Sequence, residues 1–371
     1  MRKILLILSL LMLIVIPASA QEPRPCLLDH EEEICWVANH GWTPEALAAR
    51  SAQEDAPVWA DGNRLTFAIQ SEVTGVQLCC GLQVTLRQVE DSDWLTYTVE
   101  IPRLDEAVIS YGFWTYHEGE YQQDQPGVWR GTNAPAPAPI ADPLAGTLES
   151  HEFESAALGE SRTVMVYLPP GHTSDQRYPV VYAADGDATP DLAAHLEPLI
   201  VDGTLPPTII VGAYSGISTP QRDLRSEEYL PTYASDRFAP HETFFTVELR
   251  EWAEDTFGAS TDADQRAVFG YSNGGVFAAA MGIHHPDIYG YALAFSLGVS
   301  PGDLPERGTE MAQFYFVTGT LENAFNGMTS YIEGSLDTIG ATTEFHDWVA
   351  GHDYIMWVEM FPQAVTWAFG E

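Results

Sequence analysis

The chain has 371 residues, with 53 Asp and Glu against 16 Lys and Arg, for a formal charge of −37. Such a surface repels nucleic acid and anionic membranes, which are bound through basic patches, so those partner classes are excluded. The length admits two domains, each with its own core.

Residues 1–20, "MRKILLILSLLMLIVIPASA", carry a basic start, an apolar run and a small-x-small end. They predict a secretory signal peptide cut before Gln21, hence a secreted or periplasmic protein with no stable membrane insertion afterwards. Cys26, Cys35, Cys79 and Cys80 all lie in the first quarter. In an exported chain they predict disulfides, with three pairings open. Adjacent cysteines are hard to bridge to each other, which favours Cys26 and Cys35 each pairing with one of Cys79 and Cys80. Their spacing fits no zinc pattern, and no metal is expected.

"TPEALAAR" predicts a short helix capped by Thr43, with Pro44 at its first position. From Pro57, "RLTFAIQSE", "VQLCCGLQVTLRQV", "WLTYTVEIP" and "AVISYGFWTY" alternate apolar and polar residues between turns, as β-strands do. Residues 21–132 thus read as a small β-sandwich. The polar segment from Tyr116 to Trp129 reads as a loop. "NAPAPAPIADP" then gives a stiff Pro/Ala-rich linker, placed at 133–147.

Residues 148–371 alternate strand and helix. Near-continuous apolar runs such as "YPVVYAADG" and "TIIVGAY" predict strands buried on both faces, in a mainly parallel α/β sheet with helices on both sides. "RAVFGYSNGGVFAAAMG" places Ser272 between a strand and an Ala-rich helix, in the pattern G-x-S-x-G. Small residues at 270, 274 and 275 let strand and helix close on each other, and the helix N-terminus favours negative charge at the serine. A serine nucleophile needs a base and an orienting acid. His352 follows the last strand and is the candidate base. His346 lies within that strand, and His284 and His285 end the helix after Ser272. Glu322, just past "QFYFVTGT", is the candidate acid, with Asp337 in reserve inside a helix. Asp353 is expected to cap the last helix. The oxyanion-hole amides are expected from Asn273 and from Asp187 in "YAADGDATP". Arg222 and Arg225 either clamp an anionic substrate group or pair with Asp223, Glu227 or Glu228.

From "RTVMVYLPPG" through "FGYSNGGVFA" and "VTGTLENAF" to "GHDYIMW", the chain resembles the family of esterases that includes enterochelin, feruloyl and acetylxylan esterases and mycolyltransferases. The resemblance implies an α/β-hydrolase fold, with Ser272 as nucleophile, Glu322 as acid, His352 as base and Asp187 and Asn273 at the oxyanion hole. It implies no cofactor and a small-molecule or glycan-linked ester substrate. The β-rich part resembles the immunoglobulin-like E-set domain that precedes enterochelin-esterase catalytic domains. Two residues depart from the pattern: Asn273 where the family often has Met or Leu, and Asp187 where Gln, Gly or an apolar residue is more usual and a carboxylate would repel an oxyanion. Asp187 is expected to turn its side chain away. Enterochelin-like, acyl-polysaccharide and simple ester substrates stay open, as do acyl transfer on the same residues and a ligand-binding role on an inactive scaffold.

Lys3 is the only lysine, and a dense negative surface is best tolerated where salt screens it. Melting temperature is expected to rise from low to molar NaCl; a flat response excludes salt adaptation.

Overall fold

The computed structural model describes residues 35–37, 41–54, 56–73, 75–117, 120–233 and 235–370. The predicted signal peptide and Cys26 lie outside them, as do the side chains of Cys35 and Cys80. Cys79 is disulfide-bonded.

The α/β part is built on one eight-stranded sheet. Its strands are β1 (Thr147–Ser155), β2 (Glu160–Leu168), β3 (Val180–Ala184), β4 (Ile209–Ala213), β5 (Arg266–Tyr271), β6 (Tyr291–Phe295), β7 (Gln313–Gly319) and β8 (Thr343–Trp348). They lie in the order β1-β2-β4-β3-β5-β6-β7-β8, and β2 alone runs antiparallel to its neighbours. β3 and β4 are buried along their whole length, as their unbroken apolar runs require. The helices are α1 (Thr189–Val201), α2 (Leu224–Tyr229), α3 (Ser235–Thr243), α4 (Arg250–Phe257), α5 (Asn273–His284), α6 (Asn323–Ile339) and α7 (Tyr354–Phe369), with a π-helical segment, Phe244–Leu249, joining α3 to α4. Two apolar cores result. One holds Phe244, Phe245 and Phe277 on one face of the sheet; the other holds Leu196, Phe269 and Phe361 on the opposite face. Among the described residues no helix is long and apolar enough to cross a membrane.

The N-terminal part is all antiparallel. One sheet orders Cys35–Val37, Trp94–Glu100, Arg64–Gln70 and Val58–Asp61, with Arg87–Gln88 beside Trp94–Glu100; the other orders Val84–Thr85, Gln77–Cys80, Val108–His117 and Glu120–Arg130. Thr43 caps the helix Pro44–Ser51 as expected. The segment read as a loop at 116–129 is largely strand: Glu120–Arg130 pairs along Val108–His117. It escaped the pattern because residues 122–126 are exposed and polar on both faces, and Pro126 suits an edge strand.

The two parts interlock behind the loops that carry Glu322 and His352. Leu321 and Val349 belong to the apolar core of the β-rich part. Asp353, fully buried, caps α7 through Ile355 N–H and takes hydrogen bonds from Ser110 N–H (2.7 Å) and Ser110 Oγ (2.6 Å). Burial pushes its carboxyl above the ordinary 3.8, and the Ser110 donors pull it back. Arg130 pairs with Glu359 on α7. At Gly351 a Cβ would stand 1.5 Å from the Gly81 carbonyl oxygen, and at Gly81 one would stand 2.5 Å from Asp353 Oδ2, so neither position admits a side chain. Residues 133–147 run against α1, where Glu197 accepts from the amides of Ala145 and Gly146.

Gly351→Ala is therefore expected to lower the melting temperature and to displace the neighbouring His352. Ser110→Ala should destabilise by about 1–3 kcal/mol, since it leaves a buried carboxylate short of a donor. Both are read by thermal unfolding; unchanged melting temperatures for both proteins remove the interlock.

Candidate active site

Ser272 sits where β5 turns into α5, with φ 55° and ψ −125°. A positive φ is strained for serine and is held here by close packing. A Cβ at Gly270 would meet the Gly274 carbonyl at 2.1 Å, and one at Gly275 would meet the Phe295 carbonyl at 2.3 Å. Glycine at both positions is what lets the strand and helix approach this closely. Ser272 N–H is fixed to the Phe295 carbonyl at 2.9 Å.

His352 Nε2 lies 3.1 Å from Ser272 Oγ, and its Nδ1 lies 2.5 Å from Glu322 Oε2. The imidazole is wedged between the ring of Phe325 (4.0 Å) and the edge of Trp357 (4.7 Å). Glu322 is buried, and its other oxygen, Oε1, accepts from Ser296 Oγ (2.5 Å), Thr318 Oγ1 (2.9 Å) and Gly319 N–H (2.7 Å). Ser296 in turn accepts from Trp357 Nε1 at 2.8 Å. A buried carboxylate is tolerated when its lone pairs are filled in this way. Asp337, the reserve acid, is exposed on α6. His346, in β8, stacks on Tyr315 of β7. His284 and His285 lie at the other end of α5, both bonded to Glu242.

Asn273 opens α5, where the first amides of a helix have no partner within it. Its side chain points elsewhere: Nδ2 donates to Ser226 Oγ on α2 at 2.9 Å, tying the elbow to a neighbouring helix. Asp187 lies in the short 3-10 turn after β3 with its carboxylate exposed. Partial burial and the nearby Asp185 push its carboxyl above the ordinary 3.8. Its own backbone N–H and the guanidinium of Arg225 pull the value back down by favouring the ionised form.

Both arginines are ion-paired. Arg222 is exposed and bound through Nε and Nη2 to Glu227. Arg225 borders the site, yet its guanidinium is taken by Asp185 in a two-pronged pair of 2.7 and 2.6 Å and also reaches the Tyr271 carbonyl. Glu228 is occupied by Arg162 and Arg237. The Asp185–Arg225 pair thus joins the ends of β3 and β5 beneath the elbow. An open cavity of about 360 Å³ lies above, bordered by Asp187, Arg225, Tyr271, Ser272, His352 and Trp357.

Sequence reasoning did not single out Ser296, Trp357, Phe325 or Asp185. Trp357 and Phe325 had a faint signal: each lies within five residues of a candidate, on the first turn of α7 and α6. Ser296 had none, because it reaches Glu322 across the sheet.

A family model described as Putative esterase matches residues 155–368. Among curated proteins, the uncharacterized protein YjcH of Bacillus subtilis (strain 168) is 24% identical over 151 residues, 40% of this chain. The match spans 60% of that relative's length. Among solved structures, the enterobactin esterase of Shigella flexneri has a TM-score of 0.65 at 17% identity, covering 86% of this chain and 97% of that one. The ferric enterobactin esterase of Salmonella typhimurium has a TM-score of 0.68 at 16% identity, covering 86% and 98%. A ferulic acid esterase of Anaeromyces mucronatus has a TM-score of 0.50 at 19% identity, covering 59% and 89%. At these identities the likeness to solved structures is one of fold.

Ser296→Ala is expected to cost about 1–3 kcal/mol of transition-state stabilisation, since it unseats both Glu322 and Trp357. Asn273→Leu keeps the backbone amide and should lower the melting temperature more than kcat. Steady-state kinetics and thermal unfolding of the two variants separate these effects.

Proposed function

Because the chain belongs to the Putative esterase family, we propose that it is a serine carboxylic-ester hydrolase working through an acyl-enzyme on Ser272. The observation that carries this reading is the relay Ser272 Oγ, His352, Glu322, at 3.1 and 2.5 Å. His352 Nε2 takes the hydroxyl proton as Oγ attacks the ester carbonyl. Glu322 holds the Nδ1–H tautomer and stabilises the imidazolium that forms. The amides of Asn273 and Asp187 receive the oxyanion. Collapse expels the alcohol, protonated by His352, and a water repeats the sequence on the acyl-enzyme. No step calls for a cofactor.

The substrate we infer is an ester that is not strongly anionic. Both candidate arginines are spent on carboxylates, while Asp187 presents its own at the rim of the cavity. A polyanionic group near the scissile bond would meet repulsion there, with both candidate guanidinium groups already paired. This favours acylated sugars or simple acyl esters over an iron-catecholate. The reading includes export through residues 1–20, division of the mature chain at 133–147, and disulfides among Cys26, Cys35, Cys79 and Cys80.

Ser272→Ala and His352→Ala should each reduce hydrolysis of p-nitrophenyl butyrate by several orders of magnitude; an intact rate in either would falsify the assignment. Asp187→Asn should raise kcat/KM for a hemisuccinate ester relative to its neutral counterpart. Because the Asp187 carboxyl is raised, the wild-type penalty on the anionic ester should fade as pH drops towards and below that value and be fullest at neutral pH. A ratio that ignores both the variant and pH excludes Asp187 as selector.

A further inference from the structure

At the end of α5 remote from Ser272, Glu242, His284 and His285 bring one carboxylate oxygen and two imidazole nitrogens together within 4.8 Å of one another. His284 Nδ1 and His285 Nε2 each lie 3.0 Å from the same atom, Glu242 Oε1. Consecutive residues on a helix point about 100° apart, so two adjacent histidines do not ordinarily share one target. Here the helix stops at His284, and His285 leaves helical geometry at φ −131° and ψ 54°, which lets both rings face Glu242.

The backbone under the three residues is fixed before any ligand arrives. The His285 carbonyl accepts from Ile288 and Tyr289 N–H, and its own N–H donates to Met281. Tyr289 OH donates to the Phe245 carbonyl just past α3, and Phe245 packs on Phe277 of α5 at 4.8 Å. Glu242 is on the last turn of α3, directly before the π-helical segment, an irregularity often found at functional sites. The three residues are partly open to solvent, with exposures of 22, 36 and 28% for Glu242, His284 and His285, so an ion could enter and keep water on its remaining positions.

The geometry points to a divalent transition-metal site of the zinc class on Glu242, His284 and His285, clipping the end of the nucleophile helix to α3. Ligand atoms around a tetrahedral zinc, with bonds of about 2.0–2.2 Å, lie roughly 3.3–3.5 Å apart. The two 3.0 Å contacts need only small side-chain shifts to reach that spacing, and the two imidazole nitrogens, within 4.8 Å of each other, reach it by ring rotation. Two imidazoles and one carboxylate select zinc, nickel or copper(II) over calcium and magnesium, which take oxygen ligands. The site lies about 18 Å from Ser272 along a 12-residue helix, so its effect is on stability and not on the ester chemistry. The inference is independent of the proposed hydrolase activity.

The test uses the full chain, stripped with EDTA and titrated with ZnCl2 by calorimetry and by thermal unfolding, beside a His284→Gln/His285→Gln variant. Glutamine keeps an N–H donor for Glu242 and loses the zinc ligand. Stoichiometric zinc binding with a rising melting temperature in the wild type, both lost in the variant, supports the site. Equal zinc binding by both proteins, or none by the wild type, overturns it and leaves Glu242 a hydrogen-bond acceptor only. Circular dichroism and unchanged hydrolysis of p-nitrophenyl butyrate report that the variant is folded; if it is not, Glu242→Gln alone serves the same comparison.

Discussion

The site hangs from one buried carboxylate. Glu322 spends one oxygen on three donors of the scaffold and leaves the other for His352. The scaffold bonds fix the direction of the free oxygen, and that direction fixes the imidazole. With fewer donors, an acid this deep would be costly to keep charged and free to swing. The donors come from the ends of two adjacent parallel strands, β6 and β7, so the relay inherits its precision from sheet register. A parallel sheet brings the carboxyl ends of its strands to one edge, where sites in such folds form.

The α/β part was legible in the sequence because its signals are local and mutually consistent. Unbroken apolar runs announce strands buried on both faces, and the glycines around Ser272 announce a strand and helix packed at backbone distance. Ser272, His352 and Glu322 could be named because chain order and position past a strand place them at one edge. Side-chain destinations were not legible. For Arg222 and Arg225 the charge was visible but the choice between substrate and carboxylate was not; Arg222 pairs with Glu227, one of the expected partners, and Arg225 with Asp185, which was not among them. Asn273 looked idle until Ser226 appeared beside it. The strand at 120–130 was missed because an exposed edge strand carries no apolar alternation.

The β-rich part is more than an appendage. Its core takes in Leu321, which precedes the candidate acid, and Val349, three residues before the candidate base. Ser110 satisfies Asp353, the residue after the candidate base. The two loops that carry Glu322 and His352 are thus floored by another sheet system, with polar and apolar contacts acting on the same few residues.

The glycine pair at that junction has a consequence for how such a chain can change over time. With Gly351 seated against the Gly81 carbonyl, the loop bearing His352 has no slack in the direction of the β-rich part. A change in the shape of the cavity is therefore more easily absorbed by the stretch between β4 and α2, which supplies Ser215 to its lining, than by the loop bearing His352.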